Sequence, residues 1–193
     1  MRKGLAVLAL FLAACSAQEA DAPPADTAAA PVDSAPPAPT AGAVTDPQIA
    51  AIVVAANAVD VAAGELAVER GTDARVKEFA QRMITDHNGV NQAASDLVTR
   101  LGVTPEPNAT SQQLERDGEL AREALGRETG AAFDRAYIDN EVTYHQAVLD
   151  AIDQTLIPNA QNAELRALLE QTRPAIAAHL EHARELQTSL AAG

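Results

Sequence analysis

Four histidines stand in this 193-residue chain, and three of them occupy positions where helical spacing asks for an apolar side chain. His87 follows Val76, Ala80 and Met83 in alternating steps of three and four, ahead of Val90 and Ala94. His145 interrupts the series Ile138, Val142, Leu149, Ile152, and His179 interrupts Leu165, Leu169, Ile176, Ala183. A neutral imidazole carries one lone pair that accepts a proton or binds a metal. A buried polar group left unbonded costs about 1–3 kcal/mol, so three in one core imply partners. Acids stand close in sequence: Glu141 is one turn before His145, Asp86 adjoins His87, and Glu181 and His182 follow His179. His87, His145, His179, Glu141 and Asp86 are therefore candidate ligands for a divalent transition metal, with His182 as a further candidate. Tyr137 and Tyr144 read as packing residues with their hydroxyls at the rim of the core.

Spacing argues against the familiar dinuclear site. Carboxylate-bridged di-iron bundles use Glu-x-x-His on two helices; here Glu141 and His145 are four apart, and no Glu lies three residues before His87. Axial level argues the same way. If the last two helices turn at Pro158, His145 lies about 13 residues before the turn and His179 about 21 after it, an offset of roughly 10 Å. Glu65 and Glu69, near the end of the first helix, fall at another level again. On that arithmetic the imidazoles are core residues bonded to Asp, Asn, Tyr or one another, with a shared metal or a proton-transfer role as the alternatives. No Ser-His-Asp arrangement, phosphate loop or pair of catalytic carboxylates stands out, so the reading leans away from an enzyme.

The elements that must position these residues are all helical. Asp46-Pro47 reads as an N-cap and first helical residue, and the first helix runs over about 46–70. A second follows from Thr72 or Asp73 to Leu101, where Gly102 and Thr104-Pro105-Glu106-Pro107 end it. A short, highly charged helix spans about Ser111 to Leu125, another runs from Thr129 to Pro158, and the last from Asn159 to Ala191 with an expected kink at Pro174. No strand pattern appears. The fold class is all-α: a four-helix bundle with an additional short helix in the crossover, occupying residues 46–193. The charged short helix has the weakest apolar face and is a candidate binding element. Aromatics make up 3% of the chain and Trp is absent, so the core is Ala, Val, Leu and Ile.

The N-terminus has a different character. Arg2 and Lys3 precede an apolar run from Leu5 to Leu12, too short for a bilayer span. Leu12-Ala13-Ala14-Cys15 then matches the lipobox of bacterial lipoprotein signals, and Cys15 is the only cysteine in the chain. Residues 1–14 read as a cleaved signal peptide and Cys15 as the lipidated residue. The Ala/Pro-rich stretch to residue 45 reads as a disordered tether reaching on the order of 90 Å when extended. Ser16 after the cysteine favours the outer membrane, with the domain facing the periplasm. The net charge of −13 excludes nucleic acid and gives no pull toward anionic headgroups, so the membrane is reached through the lipid alone.

From about Asp46 to Leu190 the chain resembles the bacterial envelope family known as domain of unknown function 4142. The resemblance rests on Val76-Lys77-Glu78-Phe79-Ala80-Gln81-Arg82-Met83-Ile84 with Asp86-His87, on Phe133-Asp134-Arg135-Ala136-Tyr137-Ile138 with His145-Gln146, and on Pro174 with His179-Leu180. It implies a ferritin-like helical bundle and an envelope address, and it puts His87, His145 and His179 at recurrent histidine positions, with His182 an extra of this chain. Two functions follow as expectations. The first is a non-catalytic binding or stress-related envelope module with an envelope protein as its partner. The second is a metal-binding ferritin-like protein using the core histidines. The N-terminal reading is checked by expression in a Gram-negative host: the chain should incorporate labelled palmitate, and Cys15→Ser should abolish the label.

Overall fold

The computed structural model describes residues 44–192; the signal peptide, Cys15 and nearly all of the tether lie outside them. Four long helices form the bundle, α1 (Asp46–Arg70), α2 (Ala74–Leu101), α4 (Gly130–Ala151) and α6 (Ala163–Ala191), with α3 (Ala109–Leu125) in the crossover. After α4 the chain passes through a π-helical turn, Ile152–Leu156, and one helical turn, α5 (Ile157–Asn159). The described residues hold no strand, and the all-α reading stands.

Packing follows from which faces are apolar. α1 lies along α2, α4 along α6, and α2 meets α6, whereas α1 and α4 touch sparsely and α3 crosses outside α1. Because α1 has neighbours on three sides, it is apolar nearly all round: from Ile49 to Ala63 its only polar residues are Asn57 and Asp60. By length and composition it would suit a membrane span, but most of its apolar stretch is buried within the bundle. Aliphatic and aromatic side chains pack in two clusters, one around Phe79, Met83 and Tyr137, the other around Ile49, Leu97 and Leu165.

Both ends of the bundle are pinned by carboxylates. At one end Asp134 accepts from the backbone N–H of Thr72 and of Asp73, each at 2.9 Å, and from the Thr72 hydroxyl, tying the start of α4 to the α1–α2 turn. Arg70 donates to the carbonyls of Gly126 and Glu128 at the same end. At the other end Asp46 accepts from the backbone N–H of Gln161 and Asn162, both at 2.8 Å. Asp46 is thus the first residue of α1, with Thr45 as its N-cap, and its side chain serves the α5–α6 turn.

That turn corrects the sequence arithmetic. Pro158 does not end the helix: the Ile157 N–H reaches back to the Ile152 carbonyl, and Pro158 follows in the first turn of a new segment, where its missing N–H costs nothing. The chain reverses at Ala160–Asn162, and α6 starts at Ala163, not Asn159. Counted from residue 161, His145 is 16 residues away (161 − 145) and His179 is 18 (179 − 161), so the two are nearly level. The short helix begins at Ala109, capped by Asn108, slightly earlier than its sequence pattern suggests.

α3 lies against α1 along much of its length but buries little of itself. Only Ser111 and Leu125 of its residues are buried, and Leu120 is 63% exposed. At mid-helix Gly118 sits so close to α1 that a Cβ there would meet Val59 at 2.6 Å. Under α3, where α1 and α4 part, lies a cavity of about 340 Å³ that reaches Asn57 and His87.

Candidate metal centre

Midway along the bundle the core turns polar. Asp60 of α1, His87 of α2, Glu141 and His145 of α4 and His179 of α6 are between 0% and 3% exposed. His87, His145 and His179 each offer a ring nitrogen within 4.8 Å of those of the other two, and Asp60, Glu141 and His145 form an overlapping group of the same size. The three rings sit 5.4–5.5 Å apart, centroid to centroid.

The outer nitrogens fix the tautomers. Asn57 donates its amide to the Val53 carbonyl at 2.7 Å, which turns its oxygen toward His87 Nδ1 at 2.7 Å; Nδ1 must donate, and the lone pair falls on Nε2. His145 Nδ1 donates to the Glu141 carbonyl at 3.0 Å, leaving Nε2 bare. His179 Nε2 donates to Asp86 at 2.8 Å, leaving Nδ1 bare. Each imidazole is thus held by a protein acceptor on one side and presents a lone pair on the other, as supporting partners do for metal-binding histidines.

On the inner side nothing is satisfied. His87 Nε2, His145 Nε2, His179 Nδ1, both Asp60 oxygens and Glu141 Oε2 are buried with no hydrogen-bond partner among the described residues. Asp60 Oδ2 lies 3.2 Å from His87 Nε2 and 3.3 Å from His145 Nε2. Donors at about 2.0–2.1 Å around a tetrahedral ion stand roughly 3.3–3.4 Å from one another. The two Asp60 distances match that spacing, and the His179 ring joins those of His87 and His145 within 4.8 Å.

Charge fits as well. Burial pushes Asp60 up to about 8, and burial together with the neighbouring Asp60 raises Glu141. Burial drives His87 down to about 3 and His145 down to about 4, the other rings adding to the effect. His179 is lowered too, chiefly by burial, against the pull of Asp86. Neutral imidazoles and two carboxylates give a site of charge −2 when deprotonated, which one divalent cation neutralises. Without it, two carboxylates must hold protons or remain charged in a dry core.

A family model described as a domain of unknown function (DUF4142) matches residues 31–186. The chain belongs to that family. No curated protein and no solved structure matches it.

In this DUF4142 chain the residues singled out from the sequence divide in three. His87, His145, His179 and Glu141 come together, against the axial offset expected from a turn at Pro158. Asp86 is not a partner of its neighbour His87: one residue round the helix, it reaches across to His179 and also takes a hydrogen bond from Arg82 at 3.3 Å. Burial raises Asp86, but those two hydrogen bonds prevail and hold it below the usual carboxylate range. His182 stands apart, edge-on to Phe79 at 5.2 Å, and Glu65, Glu69 and Glu181 are exposed. Tyr137 is not at a rim; it is fully buried, its hydroxyl without a partner among the described residues. Tyr144 does bond outward, donating to the Ala56 carbonyl at 2.7 Å and tying α4 to α1.

Sequence reasoning missed Asp60 and Asn57. The signal was present: they are the two polar residues in the apolar run Ile49–Ala63, spaced i,i+3 on one face.

The shifts set a pH profile for the metal-free protein. Asp60 and Glu141 bind protons more tightly when folded, so their contribution is present at low pH and lost as pH rises toward 8. The imidazoles bind protons less tightly when folded, so stability falls as pH drops below their unfolded value near 6.5. Urea unfolding after chelation should show maximal stability near pH 6 and a loss of on the order of 1–2 kcal/mol between about pH 7 and 8.5. Asp60→Asn should flatten the alkaline limb; a limb that stays as steep in that variant would remove Asp60 as its source.

Proposed function

We propose that this domain is a non-catalytic metal-binding module of the bacterial cell envelope, anchored to the outer membrane through a lipid on Cys15 and holding one divalent transition metal ion. The observation that carries the reading is the set of four inward donors, His87 Nε2, His145 Nε2, His179 Nδ1 and an Asp60 oxygen, buried and unpartnered while the outer side of every ring is fixed. Such a set costs stability unless something occupies it. One cation would satisfy the three lone pairs and the carboxylate together.

Zinc suits the donors best. Three imidazoles and one carboxylate are borderline ligands of the kind zinc takes. Catalytic zinc sites keep one position open for water, whereas four protein donors close the shell. Closure favours holding or buffering an ion over chemistry on a substrate. The Glu141 carboxylate, 3.4 Å from His145 Nδ1, supplies the second negative charge. The envelope address rests on the N-terminal sequence and the tether, whose length lets an anchored domain sample the periplasm.

The test uses the full chain carrying Cys15→Ser, stripped with a chelator and titrated with Co²⁺. One equivalent should bind with the intense visible bands of tetrahedral cobalt, and Zn²⁺ should displace it. At 100 times its dissociation constant the ion should raise unfolding free energy by about 2.7 kcal/mol. His87→Ala, His145→Ala, His179→Ala and Asp60→Ala should each weaken binding by about 100-fold or more, and Asp86→Asn by about 10- to 100-fold through loss of the His179 support. Weak, pale cobalt binding indifferent to all five variants would refute the assignment.

A further inference from the structure

The second feature of this bundle is the cavity between α1 and α4, which touches the metal site only at Asn57 and His87. Along α1 its wall runs from Ile52 to Ala63, three turns of helix and about 16 Å, so the space is elongated along the bundle axis. Its inner walls are aliphatic, with Leu156, Leu169 and Ile176 closing the end toward α6.

Most polar groups on the inner wall are already engaged, the exceptions being His87 Nε2 and Asn140, which makes one long bond of 3.4 Å to Glu141. Thr143 donates to the Asp139 carbonyl and Thr172 to the Leu168 carbonyl. Tyr144 donates to Ala56, and Asn57 uses its amide on Val53 and its oxygen on His87. Water in such a space needs two to four polar partners per molecule, and the inner wall offers almost none. Solvent-facing polarity lies at the α3 rim, where Thr110 and Asp117 are exposed and Asp117 accepts from Gln113 at 2.6 Å. Among the described residues no Lys or Arg lines the cavity, Asp117 is an acid, and the protein carries a net charge of −13. An anionic headgroup is therefore disfavoured at the mouth.

We infer that this cavity binds the single alkyl chain of an uncharged amphiphile, its tail lying between α1 and α4 and its polar head at the rim of α3. Length, aliphatic lining and spent hydrogen bonds select the tail; the acidic, cation-free mouth selects the neutral head. α3 forms the outer wall of the cavity, and the mouth opens beside its Thr110 and Asp117.

Isothermal titration of the full chain carrying Cys15→Ser with monoacylglycerols of increasing chain length, each below its micelle-forming concentration, tests this. One equivalent should bind saturably, with affinity rising up to about fourfold per added CH₂ until the tail outgrows the cavity, after which it should level off. The matching fatty acid anion should bind about 10-fold more weakly at low ionic strength, the gap narrowing with salt. Ala121→Leu and Ala151→Leu, which fill the cavity from α3 and α4 without touching the metal donors, should abolish binding. Their unfolding midpoints and cobalt affinity should stay at or above the parent's, which shows that fold and metal site are intact. Absence of saturable binding at any chain length, or unaltered binding in both filled variants, overturns the inference and leaves the metal assignment untouched. Equal affinity for anion and neutral head at low salt overturns the choice of headgroup.

Discussion

The arrangement of this bundle turns on the cost of keeping Asp60, Glu141, His87, His145 and His179 in a core that excludes water. An apolar quintet at those positions would be cheaper by several kcal/mol, since a buried polar atom without a partner forfeits its hydration. The outer nitrogen of each ring is nevertheless satisfied, while the inner nitrogens and both Asp60 oxygens have no hydrogen-bond partner among the described residues. Half-satisfied polar clusters are among the costliest features a core can hold. A bound cation turns that cost into binding energy, because it supplies positive charge where two carboxylates and three lone pairs already converge.

Bringing the donors into one layer is a problem of register, which the ends of the bundle solve. Asp134 fixes the start of α4 to the α1–α2 turn, and Asp46 fixes the α5–α6 turn to the start of α1. With both ends set, level is decided by counting. Asp60 is 14 residues from Asp46 (60 − 46), and His179 is 17 from Asn162 (179 − 162). At about 1.5 Å per residue the two fall within roughly 5 Å of the same height. The π-helical turn and Pro158 add the few residues that bring His145 to that level. Two hydrogen-bonded carboxylates at the ends therefore position three imidazoles at the middle.

The helices were legible in the sequence because their signals are local. Caps, Gly102 and the three-four spacing of apolar residues placed α1 and α2 almost to the residue, and all three core histidines showed as polar breaks in apolar stripes. The site itself was less legible, for two physical reasons. Pro158 reads as a stop, yet a π-helical turn lets the helix pass it, and moving the reversal by three residues changes the computed offset from about 10 Å to a few ångströms. Asp60 lies on a helix apolar on nearly every face, where no amphipathic stripe marks it as inward. The Asp86–His179 contact joins residues 93 apart in sequence, and only the packing of α2 against α6 reveals it. The tether and Cys15 remain readings of sequence, since they lie outside the described residues.

The central claim is that His87, His145, His179 and Asp60 together hold one ion, and X-ray absorption on the zinc-loaded full chain addresses it most directly. The account predicts a first shell of four nitrogen and oxygen neighbours at about 2.0–2.1 Å, with outer-shell scattering from three imidazole rings. His182→Ala should leave that spectrum unchanged. A six-coordinate oxygen shell without imidazole scattering would contradict the claim and return the three histidines to the status of costly core residues.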